Sequence, residues 1–358
     1  MNGLLSRILK ISVILAGIVV IISVLIAGGI VYLNNPPATI PQTGGGRSLR
    51  IEDGNILYME VKNGESAFSV GRRLEDAGII KNRYFWYALS RLEKEYIKTG
   101  TYRIQLPASQ LAIHAALVAG RQVLLRVTIP EGTTLKKTAR ILAEAEICGE
   151  DAFLLAAADP EILEAYKVPG KNMEGFLYPD TYLFPLEYPA PLVVRNMADT
   201  FFSKLAELAP ESLDAAPEEI YKKLIVASIV EREYRIDEEA PLMAGVFYNR
   251  LRIGMALQSC ATVEYVLTEI QGKPHPEVLL TRDTEIKDPY NTYYYPGLPP
   301  GPISSPGAAA LKAAFYPSET EYLYFRLVDA NAGRHYFSRT FDDHIKAGIL
   351  YVKGGLSS

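Results

Sequence analysis

The hydrophobic pattern opens with an unbroken block. Residues 11–33 carry no charged side chain, and only Ser12 and Ser23 interrupt the apolar and glycine positions. About 20 such residues cross a bilayer as a helix, so a transmembrane helix is predicted over 11–33. Arg7 and Lys10 precede it and the first charge after it is Arg47, which keeps residues 1–10 cytoplasmic and puts the rest outside. The run outlasts the h-region of a cleaved signal peptide, roughly 7 to 15 residues, and no A-x-A-like site follows, so a retained anchor is expected. Residues 34–55, rich in Pro, Gly and polar side chains, read as a flexible linker.

Folding is expected from Ile56. The stretch ILYMEV alternates as a strand does, Asn63-Gly64 reads as a turn, and Ser66 as the N-cap of a helix that Gly78 stops. A second helix over 82–92 and a strand over 101–105 complete a β-α-α-β unit of the size of a LysM module, assigned to 56–122. Its service as a glycan-binding module and a purely structural role both remain open. A helix over 109–120, a strand over 124–129, a Pro130-Glu131-Gly132 turn and a helix over 133–145 follow. A larger mixed domain, 123–358, contains long helices over 217–234 and 238–251 and closes in strands over 322–328 and 335–337. The fold class is α+β, with no 20- to 50-residue repeat.

Composition narrows the function. A chain of 358 residues, 49% hydrophobic and 22% charged, can bury a full core in about two domains. With a net charge of -4 and no Lys/Arg run, a nucleic-acid partner is not expected. Cys148 and Cys260 are too few for a disulfide framework and read as two unpaired thiols. His114, His275, His335 and His344 show no metal-ligand spacing, so neither metal nor other cofactor is expected.

Chemistry concentrates in PEEIYKKLIVASIVEREY. Stepping 100° per residue places Glu231 between Ile220 and Leu224, beside Ala227, on an apolar stripe, and Glu233 near Lys222 on the polar sector, as a solvated carboxylate. A carboxyl on an apolar stripe loses hydration when ionised, so its pKa climbs toward working pH, as a general acid requires. An ion pair with Arg232 or Arg235 is the alternative use of the same position. Downstream, Asn249, Arg250 and Gln258 offer groups that orient a sugar, and the proline-rich loop with Tyr290, Tyr293, Tyr294 and Tyr295 offers flat faces edged by hydroxyls. Tyrosines packed on the core are the alternative there.

Together these segments resemble the endolytic murein transglycosylases, the MltG or YceG-like family. The likeness rests on TIPEG (128–132), EGFLYPDTY (174–182), ASIVEREY (227–234), NRLRIGMALQS (249–259), YNTY (290–293), GLPPGPISSPG (297–307) and the closing YLYFRLVDANAGRHYFSRTFDDH. It implies a lyase that cleaves the MurNAc–GlcNAc bond inside nascent peptidoglycan strands and leaves 1,6-anhydro-MurNAc ends, with Glu231 as the catalytic glutamate, acid and then base. Glu174, Asp180, Tyr182, Asn249, Arg250, Gln258, Asn291 and Tyr293 are candidates to bind the sugars or hold the cleft. Glycan strands are the expected partner and peptidoglycan synthases a further one. A hydrolase using a second carboxylate such as Glu174 or Asp180, and a non-catalytic wall-binding scaffold, are the competing readings. Where many members have an aspartate, this chain has Cys260, so that residue's role does not transfer.

Overall fold

The computed structural model describes residues 2–39, 49–52, 55–62, 64–92, 96–120 and 122–354. The chain divides into two compact units, Met1–Leu124 and Leu125–Ser358. In the first, α1 (Asn2–Asn34) contains a stretch, Ile11–Asn34, long and apolar enough to cross a membrane, with its side chains exposed. The end of α1 is held by its own unit. Leu33 O accepts from Gln110 Nε2 at 2.8 Å, Asn34 Oδ1 from Leu111 N at 2.9 Å, and Lys81 lies over the Tyr32 ring.

Strand β1 (Leu49–Glu52) corrects the reading of 34–55 as linker throughout. It pairs antiparallel with β2 (Ile56–Val61), because Leu49 and Ile51 alternate and bury their side chains. Next come α2 (Ala67–Asp76), α3 (Arg83–Leu92), β3 (Gly100–Gln105) and α4 (Gln110–Ala119), the sheet order being β1-β2-β3. The order β2-α2-α3-β3 is the expected β-α-α-β. The Ser66 and Ser109 hydroxyls accept from Ser69 N and Ala112 N, and Gly120 ends α4 in the left-handed region at φ 70°. Leu57, Val70, Leu74, Trp86 and Ile113 form the core.

The second unit is mixed α and β. Strand β4 (Leu124–Thr128) leads to α5 (Leu135–Glu144), α6 (Glu150–Ala157), α7 (Pro160–Ala165) and β5 (Thr181–Pro185), which pairs with β4. Helices α8 (Ala190–Leu208), α9 (Pro217–Val230), α10 (Ala240–Arg252), α11 (Cys260–Tyr265) and α12 (Ala308–Phe315) follow. An antiparallel hairpin of β6 (Tyr324–Asp329) and β7 (Arg334–Ser338) precedes α13 (Phe341–Gly354). Helix α9 runs through the core against α10 and α12. Every residue from Leu224 to Val230 is buried, so its second half has no solvent face and the amphipathic reading holds only for its first turns.

Candidate functional site

Helix α9 begins on Pro217, which supplies the φ of a first helical turn without a wasted N–H, and its last helical turn delivers Glu231. Glu231 keeps right-handed helical angles (φ -52°, ψ -33°) and its N–H still bonds Ala227 O at 2.8 Å. Beyond it the chain leaves the helix through tight turns: Arg232 N donates to Ile229 O and Glu233 N to Val230 O.

Two loops converge on this corner. The 301–307 segment threads the core, buried at every residue. Ile303 N donates to the Ser228 hydroxyl at 3.0 Å, and the Ser304 hydroxyl donates to Ser228 O at 3.0 Å. The turn after β4 is laced to the same segment, with Gly132 N donating to Ser305 O and Ser305 N to Thr133 O, both at 2.9 Å. At the end of the thread, Gly307 N donates to Glu231 Oε2 at 2.9 Å. Gly132, at φ 70°, lies so close that a Cβ on it would stand 3.6 Å from Glu231 Cγ.

Burial pushes the Glu231 carboxyl up to about 7, the negative charges of Glu131 and Asp237 act in the same direction, and the Gly307 N–H and Arg232 oppose them. Arg232 is held at 3.0 Å by Glu264. A carboxyl poised near neutrality carries and releases a proton at working pH, the property of a general acid that later serves as base.

The solvated reading of Glu233 is corrected. Because the helix ends at Val230, the 100° step no longer applies, and its carboxylate accepts from the Ser259 hydroxyl and from the backbone at Ala261, tying this turn to the start of α11. Burial raises its pKa. On the same side the Tyr293 hydroxyl meets Cys260 Sγ at 3.1 Å, Ser259 N donates to the Thr292 hydroxyl, and Gln258 N donates to Thr292 O. Gln258 is exposed, in left-handed backbone at φ 51°. Tyr294 and Tyr295, 44% and 42% exposed, stand edge to face.

Most of the other predicted residues turn their polar atoms inward, whereas Asp180 is exposed. Asn249 donates to Thr320 O and Tyr322 O, while Arg250 donates to Leu323 O and Leu257 O. Asn291, fully buried, donates to Thr284 O and Ile286 O. Glu174, 6% exposed, accepts from Leu135 N at the start of α5 and from the Tyr265 hydroxyl, and burial pushes it up to about 8. The Tyr182 hydroxyl donates to Tyr178 O, and Asp180 accepts from Thr181 N while its carbonyl accepts from Ile129 N. Sequence reasoning missed the contributions of Ser228, Glu233 and Glu131. The first two sit in the ASIVEREY motif and the third in TIPEG, and that motif membership was the one signal for them. Among the described residues no group of three or more His, Cys, Asp or Glu is placed to hold a metal ion.

The chain has relatives along most of its length. The sequence profile of the YceG-like family matches residues 59–348. A protein of Streptococcus pneumoniae (strain ATCC BAA-255 / R6) named endolytic murein transglycosylase is 29% identical over 329 residues, which are 83% of this chain and 58% of that protein. One of the same name from Bacillus subtilis (strain 168) is 28% identical over 317 residues, 83% of this chain and 85% of that protein. The chain thus spans little more than half the length of the pneumococcal relatives it matches. A crystal structure of a yceG-like protein from Listeria monocytogenes superposes with a TM-score of 0.54 at 30% identity, covering 81% of this chain and 98% of that one.

Proposed function

The chain belongs to the YceG-like family, and from that premise we propose that it is a membrane-anchored lytic transglycosylase. It cuts the MurNAc–GlcNAc bond inside peptidoglycan strands and leaves 1,6-anhydro-MurNAc ends. The observation that carries this reading is the Glu231 carboxyl, desolvated to a pKa of about 7 at the end of a core helix and held by the Gly307 N–H. The relatives named endolytic murein transglycosylase supply the substrate class.

In the proposed cycle, protonated Glu231 gives its proton to the glycosidic oxygen, and the C1–O bond breaks toward an oxocarbenium-like sugar. The carboxylate then takes the proton of that sugar's own C6 hydroxyl as O6 bonds to C1. No water is consumed, and Glu231 ends protonated. One carboxyl in alternate states thus does what two do in ordinary glycosidases. Exposed Gln258, Tyr294 and Tyr295, with half-buried Tyr293, are the groups left to meet sugar. Glu174, Tyr182, Asn249, Arg250 and Asn291 hold the loops through the bonds described above, and exposed Asp180 is a further group left to meet sugar. Helix α1 anchors the chain in the cytoplasmic membrane with residues 1–10 inside, which places the site beside nascent strands and their synthases.

The test is mass spectrometry of muropeptides after purified peptidoglycan is treated with the full chain in detergent, wild type beside Glu231→Gln. Anhydro-ended products from wild type alone support the reading. Products heavier by one water would make the protein a hydrolase, and an active Glu231→Gln would end the assignment of Glu231.

A further inference from the structure

We propose that Glu131 is the second carboxylate of this site: an acidic group, brought against the same glycine as Glu231, that faces the reacting sugar and acts on it and on Glu231 through its charge. The inference rests on the glycan-cleaving reading and adds a residue to it.

Glu131 is exposed on the Pro130-Glu131-Gly132 turn, whose position is fixed by the paired bonds of Gly132 N to Ser305 O and Ser305 N to Thr133 O. Its carboxylate occupies the space that a side chain on residue 307 would fill. A Cβ built on Gly307 would lie 1.8 Å from Glu131 Oε1 and 2.2 Å from its Cδ. The amide of that same Gly307 donates to Glu231 at 2.9 Å. With standard backbone bond lengths, these two distances put the carboxylate oxygens of Glu131 and Glu231 no more than roughly 7 Å apart. A glycine at 307 is what lets both acids close on one residue.

The charges around Glu231 come from three places: Glu131 on the turn after β4, Arg232 and Asp237 on the chain that follows α9, and the N–H of Gly307. The Tyr234 hydroxyl is a further titratable neighbour of both acids. Arg232 is already paired with Glu264, so it does not neutralise Glu131. The negative charge of Glu131 at this spacing makes ionisation of Glu231 harder, so Glu231 keeps its proton to higher pH. As the glycosidic bond breaks, positive charge grows on the sugar ring, and a fixed negative group at the cleft stabilises it at no cost of reorganisation. Glu131 therefore acts through Glu231 before cleavage and on the sugar during it.

The experiment is the pH–rate profile of anhydro-end release by the full chain in detergent, for wild type, Glu131→Gln, Glu131→Asp and Gly307→Ala. The last variant displaces the Glu131 carboxylate without removing it. In Glu131→Gln the falling limb at high pH, where Glu231 loses its proton, should move down by roughly half to one and a half pH units. The plateau rate should fall at least about tenfold, within the range of general electrostatic contributions, and Glu131→Asp should recover part of both effects. Gly307→Ala should move the limb in the same direction. A lower plateau with an unmoved limb would mean that Glu131 only braces the turn, and would overturn the proposal. Carbon NMR titration of the Glu231 carboxyl in wild type and Glu131→Gln reads the same coupling without turnover. Identical titrations overturn it even if the protein proves to be no transglycosylase, whereas an inactive wild type with shifted titrations sinks only the functional reading.

Discussion

Replacing Glu231 by glutamine should stabilise the fold at pH 8 while leaving it nearly unchanged at pH 4. In the folded protein the carboxyl titrates at about 7 against an ordinary 4.5. A carboxyl whose folded pKa is raised binds a proton in the folded state that the unfolded chain has already released. Stability therefore falls as pH rises from 4.5 toward 7, and the loss is complete above that window. The two pKa values convert to about 3 kcal/mol at most, with almost none of it present at pH 4. Glutamine has no ionisable group, and its amide oxygen can still accept from Gly307 N, so the variant escapes the penalty with little other change. The assay is urea unfolding of the full chain in detergent, followed by circular dichroism, for both proteins across pH 4 to 8. Glu174 and Glu233 also carry raised pKa values, but they are common to both proteins and drop out of the difference. A wild-type-minus-variant difference that does not change with pH would refute the buried, proton-holding Glu231. The same variant should lose at least about 10² to 10⁴ in rate, so stability and activity should move in opposite directions.

Glu174→Gln should keep cleavage and, by the same proton linkage, lose no stability at pH 4 and gain some at pH 8. Glu174→Ala, measured by the same unfolding assay at pH 4, where the folded and unfolded carboxyls both hold the proton, should lose about 1 to 3 kcal/mol by orphaning Leu135 N and the Tyr265 hydroxyl; an equally active Glu174→Ala of full stability would remove the helix-start role given to it. Ser228→Ala removes the hydroxyl that accepts Ile303 N and donates to Ile225 O inside the core. It should cost about 1 to 3 kcal/mol in unfolding and also lower turnover, because the 301–307 thread that brings Gly307 to Glu231 is pinned there.

What could be read from sequence was whatever depends on near neighbours. The apolar run of α1 and the cap at Ser66 each follow from a few adjacent residues, and each stands in the structure. The burial of Glu231 was also legible, because that residue keeps helical angles at the end of a helix whose last turns are apolar. Two positions later the helical period failed for Glu233, since the helix had ended and its carboxylate answered to Ser259 instead. The strand Leu49–Glu52 was hidden in a polar stretch because its stabilising partner, β2, lies outside it.

Tertiary structure decided which polar groups are tied to the backbone. Asn249, Arg250 and Asn291 looked like ligands for a sugar in the sequence, and packing turned them onto backbone carbonyls instead. Packing also brought Glu131, Glu231 and Gly307, from three distant segments, onto one corner. The pattern along a chain sets the direction of a side chain within its own element, whereas the pKa of Glu231 depends on what other elements place against it: an apolar core, a thread with a free N–H, and a second carboxylate.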